Sequence, residues 1–175
     1  MEGWPIPVLA PLKRLTEFSG RDRPSIFWPY AGVVTGTVFV ASGVMMSTIM
    51  QAVFAASTEI ESVLAFERAF TLSIAVMTIA ALSSAVLLSA AVVRRLHDIG
   101  APGWIGAFPL IFFLFALALF GALFEDARST AQVGVDLFLM LMINNLLYLG
   151  SLGLLVVLLI LPGHKRLNRY GYPPD

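Results

Sequence analysis

The chain reads as an all-α membrane protein of four transmembrane helices, and three observations carry that reading. Hydrophobic residues make up 58% of the sequence and charged residues 13%, against roughly 45–50% and about 25% in a soluble domain. The charges leave four long gaps, residues 24–58, 69–93, 99–124 and 137–163, each longer than the ~20 residues a helix needs to cross a ~30 Å hydrocarbon layer. Runs such as Leu154-Leu155-Val156-Val157-Leu158 do not alternate apolar with polar side chains, as the strands of a membrane barrel would.

Residues 1–24 precede the first span. Trp4-Pro5-Ile6-Pro7-Val8-Leu9-Ala10-Pro11 is broken by proline and is expected as an irregular arm. Leu12, Leu15 and Phe18 then recur between Lys13, Arg14 and Glu17, a pattern suited to a short helix in the headgroup layer or to a solvated basic linker. No apolar core followed by a small-residue cleavage site occurs here, so no signal peptide is expected.

The four spans are expected at about 25–56, 69–95, 104–124 and 134–161, within a membrane domain covering 25–163. Pro24 and Pro29 fall where helix 1 opens, where the first amides have no intrahelical partner to lose. Trp28 and Tyr30 suit a water–lipid boundary. Gly32 and Gly36, with Ala81 and Ala85 on helix 2, form small faces that allow close helix approach, within one chain or between copies in a homo-oligomer. Ser57 to Arg68, with Glu59, Glu61 and Glu67, is long enough for a separate surface helix. Glu125 to Thr130 reads as a loop. Helix 4 ends at Leu161-Pro162-Gly163, and residues 164–175 form a polar tail.

Orientation follows from the cations. Lys13, Arg14, Arg21, Arg23, Arg94, Arg95, Lys165, Arg166 and Arg169 lie on one side, whereas the other holds only Arg68 and Arg128. Positive loops stay in the cytoplasm, so both termini and the loop after helix 2 are expected there.

That loop holds the densest polar stretch, Arg94-Arg95-Leu96-His97-Asp98-Ile99-Gly100-Ala101-Pro102-Gly103-Trp104. Its arginines complement the negative end of helix 2, Gly100 offers a left-handed stop and Pro102 prevents continuation. Topology does not ask for His97-Asp98. Asp98 is expected to pair with Arg94 one turn back or to orient an imidazole, and the two residues are weaker candidates for catalysis, which would need a further nucleophile, metal or oxyanion site.

Arg21, Arg23, Arg94, Arg95, His97 and Arg169, with Lys165, Arg166 and Asp98 beside them, are the ingredients of an anion site, because guanidinium offers forked donors to phosphate or carboxylate. Within the membrane the polar candidates are Gln51, Asp136, Asn144 and Asn145, which could line a polar path or simply join helices. With no cysteine and two histidines, no metal site is expected, nor a cofactor or a nucleic-acid partner.

The motifs Phe18-Ser19-Gly20-Arg21 with Phe27-Trp28, Arg94-Arg95-Leu96-His97-Asp98-x-Gly100-x-x-Gly103-Trp104, and Asn168-Arg169-Tyr170-Gly171 together resemble the bacterial inner-membrane family catalogued as domain of unknown function 805, over about residues 15–175. The resemblance implies a small four-helix inner-membrane protein and brings no established activity, cofactor or catalytic residue. The chain departs from the family pattern at Pro24-Ser25-Ile26, Ala101-Pro102 and Ile105. Three readings follow: a non-enzymatic membrane protein whose cytoplasmic basic face binds an anionic lipid headgroup or a phosphorylated ligand; a small transporter or channel subunit; and a membrane hydrolase or transferase using His97 and Asp98.

Overall fold

The computed structural model describes residues 7–56, 60–130 and 134–173. After a short 3₁₀ segment, Pro7–Arg14, come α1 (Pro24–Ala56), α2 (Ile60–Asp98), a 3₁₀ turn (Gly103–Gly106), α3 (Ala107–Thr130) and α4 (Val135–Ile160). The described residues are all helical apart from turns and one isolated bridge, Asn168 to Gly171. Four stretches are long and apolar enough to cross a membrane: Pro24–Gln51, Arg68–Asp98, Gly103–Asp126 and Val135–Ile160. Large apolar side chains stay exposed along all four, among them Phe39, Ile79, Ile111 and Leu146. In water such continuous apolar surface would be a liability; in lipid it is the solvent-facing surface.

Two stretches differ from the sequence expectation, both toward longer helices. The stretch expected as a separate surface helix is continuous with the second span from Ile60 onward; residues 57–59 and the side chains of 60–67 lie outside the described residues. The expected loop at Glu125 to Thr130 is the last turn and a half of α3; Glu125, Ala127 and Arg128 are good helix formers, and neither glycine nor proline interrupts the stretch. Asp126 then accepts a hydrogen bond from the Gly134 amide (2.9 Å), closing the connection to α4.

The structure falls into two compact units. The first is Met1–Thr16 with Ser25–Ala90, built on α1 and most of α2. Its buried side chains include Phe27, Tyr30, Ala31, Val34 and Ala90. Tyr30 is buried, and its hydroxyl donates to the Leu87 carbonyl (2.8 Å), because a phenol removed from water needs an acceptor. Gly32 and Gly36 are open, with no described atom within 4 Å of a Cβ built at either.

The second unit is Glu17–Pro24 with Ala91–Asp175. It contains the end of α2, the 3₁₀ turn, the α3–α4 pair and the tail. Leu119, Leu155 and Leu159 are buried in it, and the Phe113 and Tyr148 rings approach to 6.3 Å. The Asn144 amide donates to the Phe112 carbonyl (3.0 Å), joining α4 to α3 with a bond that water cannot replace inside lipid. Asp136 in the first turn of α4 suits the positive end of the helix dipole. Leu161 is extended because the proline after it disfavours the helical conformation, so α4 ends at Ile160.

Candidate functional site

The site lies in the second unit, where the end of α2, residues 17–24 and the tail meet. It begins with how α2 stops. Gly100 has φ 76°, a conformation costly for any residue with a Cβ. The Gly100 amide donates to the His97 carbonyl (3.0 Å) and the Ala101 amide to that of Leu96 (2.9 Å), the paired bonds of a Schellman cap. Three carbonyls at this helix end also accept from other segments. Arg94 O accepts from the Asp22 amide (3.2 Å) and Asp98 O from the His164 amide (2.9 Å), while Asn168 Nδ2 donates to His97 O (2.9 Å).

Around this cap sit five buried charges: Arg21, Asp22, Arg94, Arg95 and Asp98. Arg94 and Arg95 are both 0% exposed, a placement that ionised side chains take only when paired. Arg94 Nε pairs with Asp22 Oδ2 at 2.7 Å. Asp98 takes two guanidiniums, Arg21 on Oδ1 (2.8 Å) and Arg95 on Oδ2 (2.5 Å). Three arginines against two aspartates leave the cluster with an excess positive charge, which the surrounding carbonyl dipoles offset.

Most of those carbonyls come from the end of α4 and the tail. The five N–H groups that a guanidinium carries are all placed at Arg21: Nε on Asp98 Oδ1 (3.0 Å), Nη1 on the carbonyls of Arg166 (3.1 Å) and Gly171 (3.2 Å), Nη2 on those of Asp98 (3.3 Å) and His164. Arg95 caps the end of α4 through the Leu159 carbonyl (3.1 Å) and the Leu161 carbonyl, and Arg94 also reaches the Glu17 carbonyl (2.5 Å). The tail passes so close that a Cβ at Gly163 would lie 2.5 Å from the Asp98 carboxyl carbon. Only glycine fits there. The result is a clasp in which side chains from α2 and from the segment before α1 hold the backbone of the C-terminal segment.

His97 lies at the edge of the clasp. Its ring stacks on Tyr170 at 3.7 Å with 9° between planes, and Nδ1 lies 3.3 Å from the Gly20 carbonyl. A carbonyl can only accept, so Nδ1 carries the proton. Arg169 donates to the Gly100 carbonyl (3.3 Å) and lies over the Tyr170 ring, 4.7 Å from its centroid.

The predicted site residues thus separate. Arg21, Arg94, Arg95, His97, Asp98 and Arg169 are gathered, with the donors of the arginines and of His97 directed at protein acceptors. Arg23 is half-buried, and its Nε is buried without a partner among the described residues. The expected pairing of Asp98 with Arg94 is replaced: Asp98 binds Arg21 and Arg95, and Arg94 binds Asp22, because Arg94 lies on the side of α2 that faces the segment before α1. Asp98 does not orient the imidazole either; Gly20 and Tyr170 do. In the membrane, Asn144 is buried in helix packing, whereas Asn145, Asp136 and Gln51 are exposed. Among the described residues no three His, Cys, Asp or Glu side chains lie together as metal ligands.

Sequence reasoning missed Asp22 and Gly163. The signal for Asp22 was present, since it is an acid inside a basic segment, the oddity that drew attention to Asp98. For Gly163 there was none, because the close approach to Asp98 depends on where the tail folds back.

In comparisons with known proteins, neither the curated proteins nor the solved structures gave a match. The family described as "Protein of unknown function (DUF805)" matches residues 15–172, a stretch that takes in all three segments of the clasp and all four spans, and the chain belongs to that family.

Proposed function

We propose that this multi-pass protein of the bacterial inner membrane turns its clasped face to the cytoplasm and there binds anionic lipid headgroups through Lys165, Arg166 and Arg169. One observation carries the reading. The tail exposes these three cations together with Leu167, 61% exposed, and Tyr172, 80% exposed, while its backbone is tied to Arg21. Exposed cations interleaved with exposed apolar side chains suit the boundary between headgroups and acyl chains. Held in place, they lose little freedom on contact.

The sequence reading gave the anion to Arg21, Arg23, Arg94, Arg95, His97, Asp98 and Arg169. Arg21, with every N–H directed at the protein, has no donor left for a ligand, and the buried Arg94 and Arg95 are equally committed, so the proposal moves the contacts to the exposed rim and keeps only Arg169 of that set. The hydrolase or transferase reading loses support for the same reason, since two guanidiniums occupy the Asp98 carboxylate.

A lysine or arginine close to an anionic surface contributes about 1 kcal/mol, so three contribute roughly a hundredfold in affinity. Native mass spectrometry of the purified protein with phosphatidylglycerol, against phosphatidylcholine, tests the reading. Selective retention of the anionic lipid, lost in Lys165→Gln/Arg166→Gln/Arg169→Gln, is expected. Equal retention by parent and variant would overturn it.

A further inference from the structure

We propose that α4 pairs with α4 of a second copy of this chain through the side-chain amide of Asn145. The inference is independent of lipid binding at the clasp and rests on where that amide lies. Asn145 is exposed and is ten residues into a helix of 26, which puts it about 15 Å from the helix start and about 4 Å from its midpoint. At that depth there is no water to satisfy an amide.

Several other polar side chains of the spans have found partners within the chain. The hydroxyls of Thr35, Ser42, Ser84 and Ser151 each donate to a carbonyl three or four residues back in their own helix. Asn144 donates to Phe112. The Asn145 amide makes no hydrogen bond among the described residues. Its neighbours along the same side of the helix, Phe138, Met142, Leu149 and Val156, are all apolar and exposed, so this face offers a partner helix a single polar group in an apolar strip.

The occupant follows from the chemistry of the amide and from insertion. A carboxamide carries both donors and an acceptor, so it is complementary to itself. Two copies of one membrane protein insert with the same orientation, and a twofold axis along the membrane normal brings the same patch of each into contact. Under that symmetry the two Asn145 residues stand at equal depth automatically. An unrelated helix would have to bring an amide to the same level by coincidence. Asparagine pairs between helices in lipid are strong enough to select partners while remaining reversible.

The chain has no cysteine, so single cysteines report on this contact without background. Leu149→Cys lies on the Asn145 face, one turn on; Leu147→Cys, also exposed, lies on the opposite side. Oxidation in native membranes is expected to link Leu149→Cys protein into a dimer and to leave Leu147→Cys protein monomeric. Adding Asn145→Leu to the Leu149→Cys protein is expected to weaken dimerisation about tenfold in a dilution series in lipid, with the thermal unfolding of the monomer unchanged. Equal cross-linking at positions 147 and 149, cross-linking of position 149 to a different protein, or dimerisation indifferent to Asn145→Leu would each overturn the proposal.

Discussion

Replacing Asp98 with asparagine removes one negative charge and keeps the shape of the side chain. In the parent, Asp98 faces Arg21 at 2.8 Å and Arg95 at 2.5 Å, with all three side chains buried. The substitution leaves three buried arginines against Asp22 alone, and the new amide turns N–H donors toward one of the guanidiniums. Removing one partner of a buried ion pair costs about 3–5 kcal/mol because the remaining charge is left uncompensated. For a chain of this length that is a loss in Tm on the order of 10 °C, measurable by thermal unfolding of the purified protein in detergent. The companion variant Arg21→Gln/Asp98→Asn removes a cation with the anion, so its loss is expected to be smaller than the sum of the single losses by about 0.5–3 kcal/mol. A Tm for Asp98→Asn within about 2 °C of the parent, or strict additivity in the double variant, would refute the account of the cluster as a mutually dependent set of buried charges.

Three further outcomes are expected. Gly163→Ala, whose Cβ would collide with the Asp98 carboxyl group, should destabilise the fold as an overpacked site does, by about 1–3 kcal/mol, and lower Tm, whereas Gly150→Ala, with no described atom within 4 Å of the new Cβ, should change thermal unfolding little. Arg21→Gln releases the carbonyls of His164, Arg166 and Gly171, so trypsin should cut after Lys165 and Arg166 faster than in the parent, by about tenfold if one hydrogen-bonded clamp worth roughly 1.5 kcal/mol is lost; an unchanged rate would mean that the tail is not held by Arg21. A reporter active only in the cytoplasm and fused after Asp175 should be active, and an inserted but inactive fusion would reverse the orientation.

Much of the clasp was legible as residue types and little of it as partnerships. Gly100 as the stop of α2 could be read because a helix end needs a left-handed residue and Pro102 forbids continuation, both of which are local requirements. The pairing of Asp98 could not be read. Helical spacing offers Arg94 and Arg95 almost equally, and the choice falls to Arg95 because Arg94 is drawn to Asp22, more than 70 residues away in sequence. The same long-range geometry turned an expected anion site inward: arginines that a sequence presents as free donors met the carbonyls of a tail whose path the sequence does not state. Tyr30 is a smaller instance, a hydroxyl whose buried acceptor, the Leu87 carbonyl, its type does not announce.

The sequence by itself determined that the chain has four membrane-spanning helices, because the length of an uncharged apolar run is a local property that the thickness of a bilayer reads directly. It also determined which residues would be exceptional, since charges, glycines and prolines beside such runs are few and costly. Tertiary structure alone decided what those residues do. A buried guanidinium must be satisfied by whichever acceptors folding brings to it, and here these are two aspartates and backbone carbonyls, most of them from a segment that arrives from the far end of the chain.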